Sequence, residues 1–197
     1  MDPCVSDQER AWACSLGQTR QRRFLGSRAW MRSCLSDWWG VPALEIPLYA
    51  PPGMPPSLDS GWGFVSLSHS LGSALLAWSS APVGVDLERL DRPFASDALM
   101  SRYYASSEQR RLRALPQQAL HRAVLEYWLI KEASIKWQQG SLAQDLSHWV
   151  VSVDGLSASH KGRGLNVSTH FRQLGPWGMA IVSACEQNLI GARVCLG

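Results

Sequence analysis

The stretch from Val124 to Trp137, V-L-E-Y-W-L-I-K-E-A-S-I-K-W, most narrows what this chain can fold into. At 3.6 residues per turn Leu125, Trp128, Leu129, Glu132 and Lys136 share one helical face, so an apolar stripe is broken at its centre by a carboxylate and an ammonium. A carboxylate withdrawn from water costs several kcal/mol unless a cation, a metal or good donors compensate it. The stripe therefore predicts a core helix with a built-in charged site. A plain i,i+4 pair between Glu132 and Lys136, worth about 0.2–0.5 kcal/mol, suits an exposed face and fits poorly beside Leu125, Trp128 and Leu129.

At 197 residues the chain is long enough for one domain or two small ones packed together. Hydrophobic residues make up 46% of it and Trp occurs 10 times, too much apolar surface for a disordered chain. A net charge of +3 sets up no strong field toward nucleic acid or membrane, and neither partner is expected. Cys4, Cys14, Cys34, Cys185 and Cys195 form an odd set without C-x-x-C spacing or neighbouring His, and read as reduced thiols. The N-terminus lacks the basic start and apolar core of a secretory signal, and no apolar run approaches the roughly 20 residues that span a bilayer. The expected compartment is the cytoplasm.

In chain order, Phe24, Met31, Leu35 and Trp38 recur at helical spacing and Gly40-Val41-Pro42 stops them, which predicts a helix over 18–39. Arg28 falls inside that stripe and calls for an anion; the other arginines, Arg20, Arg22, Arg23 and Arg32, form a basic face. Prolines and glycines over 44–60 predict a surface loop, followed by an imperfect alternation of apolar Phe64 and Leu67 with small polar residues over 63–70, an apolar run at 74–78 and a break at Ala81-Pro82. A boundary near Val83 divides the chain into an N-terminal half, 1–83, and a C-terminal half, 84–197. Val83 to Arg89, V-G-V-D-L-E-R, reads as a strand with Val85 and Leu87 on one face and Asp86 and Glu88 on the other, about 7 Å apart. Joined to Glu132, these carboxylates ask for a hard cation, and Mg2+ suits an all-oxygen site. Residues 97–115 read as a basic, partly amphipathic helical region, and 149–153, 165–171 and 177–185 as strands of a C-terminal antiparallel sheet. The tail from Gln187 to Gly197 is given no role.

Three motifs now stand in order: S-L-S-H (Ser66 to His69), G-V-D-L-E (Gly84 to Glu88) and W-L-I-K-E-A-S-I-K (Trp128 to Lys136). Together they resemble the 4'-phosphopantetheinyl transferase superfamily. Arg22-Arg23-Phe24-Leu25-Gly26-Ser27-Arg28 is similar to an R-x-F-x-x-x-R segment of its longer, monomeric, surfactin-synthetase-activating type, and Arg102-Tyr103-Tyr104 with Glu108 to an R-F-F-x-x-x-E segment.

The resemblance implies an α+β fold of two similar subdomains, each a small antiparallel sheet packed on a long helix, with coenzyme A in the cleft between them. It implies transfer of the phosphopantetheine arm of coenzyme A to a serine of an apo acyl or peptidyl carrier protein, with release of adenosine 3',5'-bisphosphate. Carried over by residue, Asp86, Glu88 and Glu132 would hold Mg2+, Lys136 would contact a phosphate, Arg28, with Arg23 in the same set, would reach the nucleotide phosphates, and Ser68 with His69 would bind the adenosine end. Glu132 and Lys136 are the catalytic pair, Glu132 taking the serine proton directly or through water, with Asp86 through water as the competing base.

One departure stands out: where the family commonly carries G-K-P, this chain has Gly53-Met54-Pro55, with Met54 at the lysine position. A coenzyme A-binding homologue with weak or lost transfer is therefore the alternative. Carrier proteins of this kind are generally acidic, so the basic, aromatic region from Arg102 to Arg113 is the expected docking surface.

Overall fold

A computed structural model describes residues 3–197. The N-terminal half opens with α1 (Asp7–Ala13) and α2 (Gln18–Trp39). Ser6 caps α1 by accepting from Glu9 N, and Glu9 reaches back to Ser6 N. The helix α2 covers the predicted span and ends at Gly40 in the left-handed conformation, φ 68°. A short ribbon, β1 (Leu48–Tyr49) and β2 (Ser57–Leu58), lies within the stretch expected to be loop, and leads into the hairpin β3 (Phe64–Ser70) and β4 (Ser73–Ser79).

The strand β5 (Val83–Arg89) begins the C-terminal half, followed by α3 (Ser96–Tyr103), α4 (Ser106–Arg113), the 22-residue α5 (Gln117–Gln138) and the short α6 (Leu142–Asp145). The basic region is thus two helices, broken where Glu108 accepts from Ala105 N at 2.8 Å. The chain closes with β6 (Trp149–Val151), β7 (Ser157–His160), β8 (Asn166–Leu174), β9 (Trp177–Ser183), α7 (Glu186–Ile190) and β10 (Arg193–Leu196).

The fold is α+β, with two antiparallel sheets each packed on a long helix. A three-stranded sheet, β10-β4-β3, buries Val65 and Leu76 against Met31, Cys34 and Leu35 of α2. A five-stranded sheet, β5-β9-β8-β7-β6, buries Trp149, Val167, Ala180 and Val182 against Leu125, Leu129 and Ala133 of α5. The tail given no role in the sequence supplies α7 and then β10, which crosses back to pair with β4 in the N-terminal sheet. Tryptophans stiffen both cores through edge-on pairs such as Trp39 with Trp78 and Trp137 with Trp149, each worth about 0.5–1.5 kcal/mol beyond area.

Two features fix how the halves meet. The strand β5 is the edge of its sheet, and its outward N–H groups are satisfied by serine hydroxyls of β3: Val85 N donates to Ser66 Oγ at 3.1 Å and Leu87 N to Ser68 Oγ at 3.2 Å. Alternation on a strand puts Ser66, Ser68 and Ser70 on that one side, where all three are buried. Serine at every second position of β3 therefore replaces a backbone ladder between the two sheets. The second feature is Gly84. A Cβ there would overlap the Ala133 carbonyl oxygen and lie 2.6 Å from Trp137 N, so only glycine lets α5 press this closely on β5.

Candidate active site

The close approach of α5 to β5 sets Glu132 and Lys136 beside Asp86. Asp86 is 3% exposed, and its Oδ1 accepts from Ser68 Oγ at 2.7 Å and from Lys136 Nζ at 2.7 Å. Its Oδ2 is buried and accepts no hydrogen bond. Glu88, one pleat along, accepts from Ser70 Oγ and from Arg92 Nη1, both at 2.9 Å. No hydrogen bond reaches Glu132 from the described residues. Burial, and then the charges of Asp86 and Glu88, push its carboxyl up to about 7 against the opposing pull of Lys136.

Glu132 and Lys136 border a cleft of about 450 Å³. Glu132, Lys136 and Trp137 of α5 line one side, Arg28 of α2 and His69 of β3 another, and Met54 with Pro55 the rim. Arg28 is buried and lies over the Phe24 ring, 4.3 Å from its centroid. Its Nε donates to Ala50 O at 2.7 Å and Nη1 to Ser27 Oγ at 3.2 Å, both neutral acceptors. No carboxylate of the described residues forms an ion pair with it, so a buried guanidinium is left facing a cleft able to receive an anion. Ser27 Oγ in turn shares a hydrogen bond with His69 Nε2 at 3.0 Å. Desolvation, and then the charges of Arg28 and Lys136, hold His69 below the usual histidine range, so its ring is neutral at pH 7.

The structure thus brings Glu132, Lys136, Asp86, Glu88, Ser68, His69 and Arg28 to one place. Arg23 is exposed on α2 and is not part of the cleft wall. Ser68 is engaged by Asp86 and Leu87 N rather than opening into the cleft. Among the described residues, no group of three or more Asp, Glu, His and Cys side chains is gathered into an arrangement that could hold a metal ion. Asp86 and Glu88 are turned to Lys136 and Arg92.

Sequence reasoning missed the supporting roles of several residues. Lys131 and Glu108, both 0% exposed, form an ion pair at 2.9 Å, and Lys131 Nζ also donates to Trp149 O. Glu108 further accepts from Ala105 N and Val151 N. Arg32, read as part of a basic face, is buried; it pairs with Glu9 at 3.0 Å and donates to the carbonyls of Ala43, Ile46 and Leu48. Arg32 is the available signal, since a cation four residues after Arg28 shares its inward face.

A family model of the 4'-phosphopantetheinyl transferase superfamily matches residues 82–180, half of the chain, from just before β5 to within β9. The chain belongs to that superfamily and is a transferase of the phosphopantetheinyl type. No curated protein matches it. No helix among the described residues is long and apolar enough to cross a membrane.

Proposed function

We propose that the protein transfers the 4'-phosphopantetheine arm of coenzyme A, with Mg2+, to a serine of an apo acyl or peptidyl carrier protein, as a monomer of the longer type, in the cytoplasm. The observation that carries this reading is the environment of Asp86 and Glu132: a buried carboxylate oxygen without a donor, beside a carboxyl whose proton is retained to about pH 7. The site's three carboxyls, Asp86, Glu88 and Glu132, are met by two paired cations, Lys136 and Arg92, so it is short of positive charge. Asp86, Glu88 and Glu132 are the residues that would hold Mg2+, their oxygens suiting a hard cation once Asp86 and Glu88 turn from Lys136 and Arg92. When bound, the ion supplies positive charge against the pyrophosphate of coenzyme A.

The chain's own residues account for the rest. Arg28 and the neutral His69 line the part of the cleft that takes the nucleotide end, the guanidinium answering its phosphates. Lys136, half-freed from Asp86 when a phosphate arrives, neutralises charge on the departing oxygen. Ser68 acts through Asp86, holding that carboxylate against β3. The carrier serine Oγ forms a bond to the β-phosphorus as the pyrophosphate P–O bond breaks, and adenosine 3',5'-bisphosphate leaves with the electron pair. The serine proton passes to Glu132, whose pKa near neutrality suits a general base.

The test is incubation with Mg2+, coenzyme A and apo carriers of the fatty-acid, polyketide and peptide-synthetase kinds. A carrier heavier by one phosphopantetheine, and unmodified when the metal is chelated, supports the reading; no mass change on any carrier refutes it. Met54, 61% exposed at the rim where the family has lysine, favours a second reading in which coenzyme A binds without transfer. Calorimetric binding of coenzyme A with no carrier modified would support that one.

A further inference from the structure

Two thiols from opposite ends of the chain meet beneath α2. Cys34 Sγ lies 3.1 Å from Cys195 Sγ, across a sequence separation of 161 residues. Cys34 is on the buried face of α2, 7% exposed, and Cys195 is partly exposed on β10. Their meeting is imposed by register. Cys195 pairs with Leu76 on β4, and Gly197 exchanges two 2.9 Å hydrogen bonds with Ala74. A one-residue slip would turn Cys195 to the opposite face. Both residues belong to the apolar cluster between α2 and the N-terminal sheet, and the pair stands apart from the cleft residues.

We propose that Cys34 and Cys195 are a thiol-oxidation site, forming a reversible disulfide that ties the last strand to the helix carrying Arg28. The sulfurs need close by only about 1 Å to reach the bond length of about 2.05 Å. Disulfides of intracellular proteins are usually of this transient, redox-responsive kind.

The chemistry balances with a low-molecular-weight disulfide such as oxidised glutathione. Cys195, the more exposed thiol, loses its proton and attacks one sulfur of the oxidant, releasing one reduced thiol and leaving a mixed disulfide. Cys34 then loses its proton and attacks the Cys195 sulfur, releasing the second reduced thiol. Two thiols lose two electrons and two protons; the oxidant gains both. Burial, and then the contact with Cys195, push the Cys34 thiol up to about 12, which makes Cys34 the resolving partner rather than the first attacker. The part of that elevation due to Cys195 disappears once Cys195 is in the mixed disulfide.

The closed loop takes in most of the chain, so the bond constrains the unfolded state strongly and raises the Tm by about 10 °C. The experiment treats the full chain with oxidised glutathione, alkylates the remaining thiols and maps disulfides by peptide mass. The expected result is one cross-linked peptide pair containing Cys34 and Cys195, two fewer alkylated cysteines than in the reduced protein, and a Tm gain reversed by dithiothreitol and absent in C195S. Glutathione adducts without the cross-link, or a Tm gain that persists in C195S, would overturn the proposal.

Discussion

Lys136 reaches across from α5 to Asp86 of β5, Nζ to Oδ1 at 2.7 Å, and forms no ion pair with Glu132 one turn back on its own helix. The two charges on the apolar stripe are therefore not an ordinary intrahelical pair. Lys136 is drawn off by a carboxylate of the facing strand, and Glu132 is left without a full counter-charge.

That separation predicts how stability depends on pH. The folded carboxyl of Glu132 is raised to about 7, above the unfolded value, so its stabilising effect is present at low pH and is lost as pH rises through 7. Without divalent metal, the wild type should lose on the order of 2 kcal/mol relative to E132Q between pH 5 and pH 8. Referencing to E132Q cancels the contributions that the two proteins share. Urea unfolding of both proteins at the two pH values measures it; a constant difference would contradict the assignment. Transfer by E132Q should fall by at least 100-fold, since the variant lacks both the base and a charged oxygen for the metal.

The site also depends on a residue with no functional group. At Gly84 a methyl would strike the backbone of α5 at Ala133 and Trp137, neither of which is a side-chain end able to swing aside. G84A should cost about 3 kcal/mol or more, or force α5 off β5 and separate Lys136 from Asp86. Thermal unfolding reports the first outcome and coenzyme A binding the second. A variant normal in both would show that α5 and β5 tolerate a wider spacing.

Much of this was legible in the sequence, for identifiable reasons. The 3.6 period of Leu125, Trp128 and Leu129 placed Glu132 and Lys136 together on one face of α5, which the structure leaves half-buried along the cleft, and the period of 2 placed Asp86 and Glu88 together on β5. Both are local consequences of backbone geometry. Partners distant in sequence were not legible. The sequence of β10 carries no mark of its pairing with β4. Lys131 falls beside the apolar stripe, and nothing local in the sequence marks its pairing with Glu108 of α4.

The Lys131–Glu108 pair leads to a stability prediction of its own. Both side chains are fully buried, and Glu108 also ties the start of α4 to β6 through Ala105 N and Val151 N. K131M leaves a buried carboxylate without its cation and should cost about 3–5 kcal/mol. The double variant K131M/E108Q removes the charge and keeps an acceptor for one of the two N–H groups, which donate to different oxygens of Glu108, and should recover part of that loss. Denaturant unfolding of the wild type, K131M and the double variant tests it. A double variant no more stable than K131M would mean that hydrogen-bond geometry, rather than charge, dominates the pair.

The cleft rim gives a test of affinity. Met54 lines the same cleft as Arg28, His69 and Lys136, exposed, where a cation would face an incoming phosphate. Lysine there adds one charge-assisted contact on a solvated edge, about 1 kcal/mol. M54K should therefore lower the Kd for coenzyme A by about 5-fold, measured by calorimetry at low salt. An unchanged Kd would place the phosphates away from this rim.

The expected docking surface is narrower than the run of arginines suggests. Arg111 donates to Val151 O at 2.7 Å and Arg113 to Ser101 Oγ at 3.2 Å, so both have work within the fold. Arg102 and Arg110 are exposed and form no ion pair among the described residues, which leaves them free to meet an acidic carrier. Reversing them in R102E/R110E should raise the KM for the carrier by about 5-fold or more, leave the KM for coenzyme A unchanged, and lose its effect at high salt. R111E should instead lower the Tm, because it removes a bond between α4 and β6. If R102E/R110E matches the wild type in carrier KM at low salt, the carrier docks elsewhere, since exposed like charges at the contact would slow association even where they add little affinity.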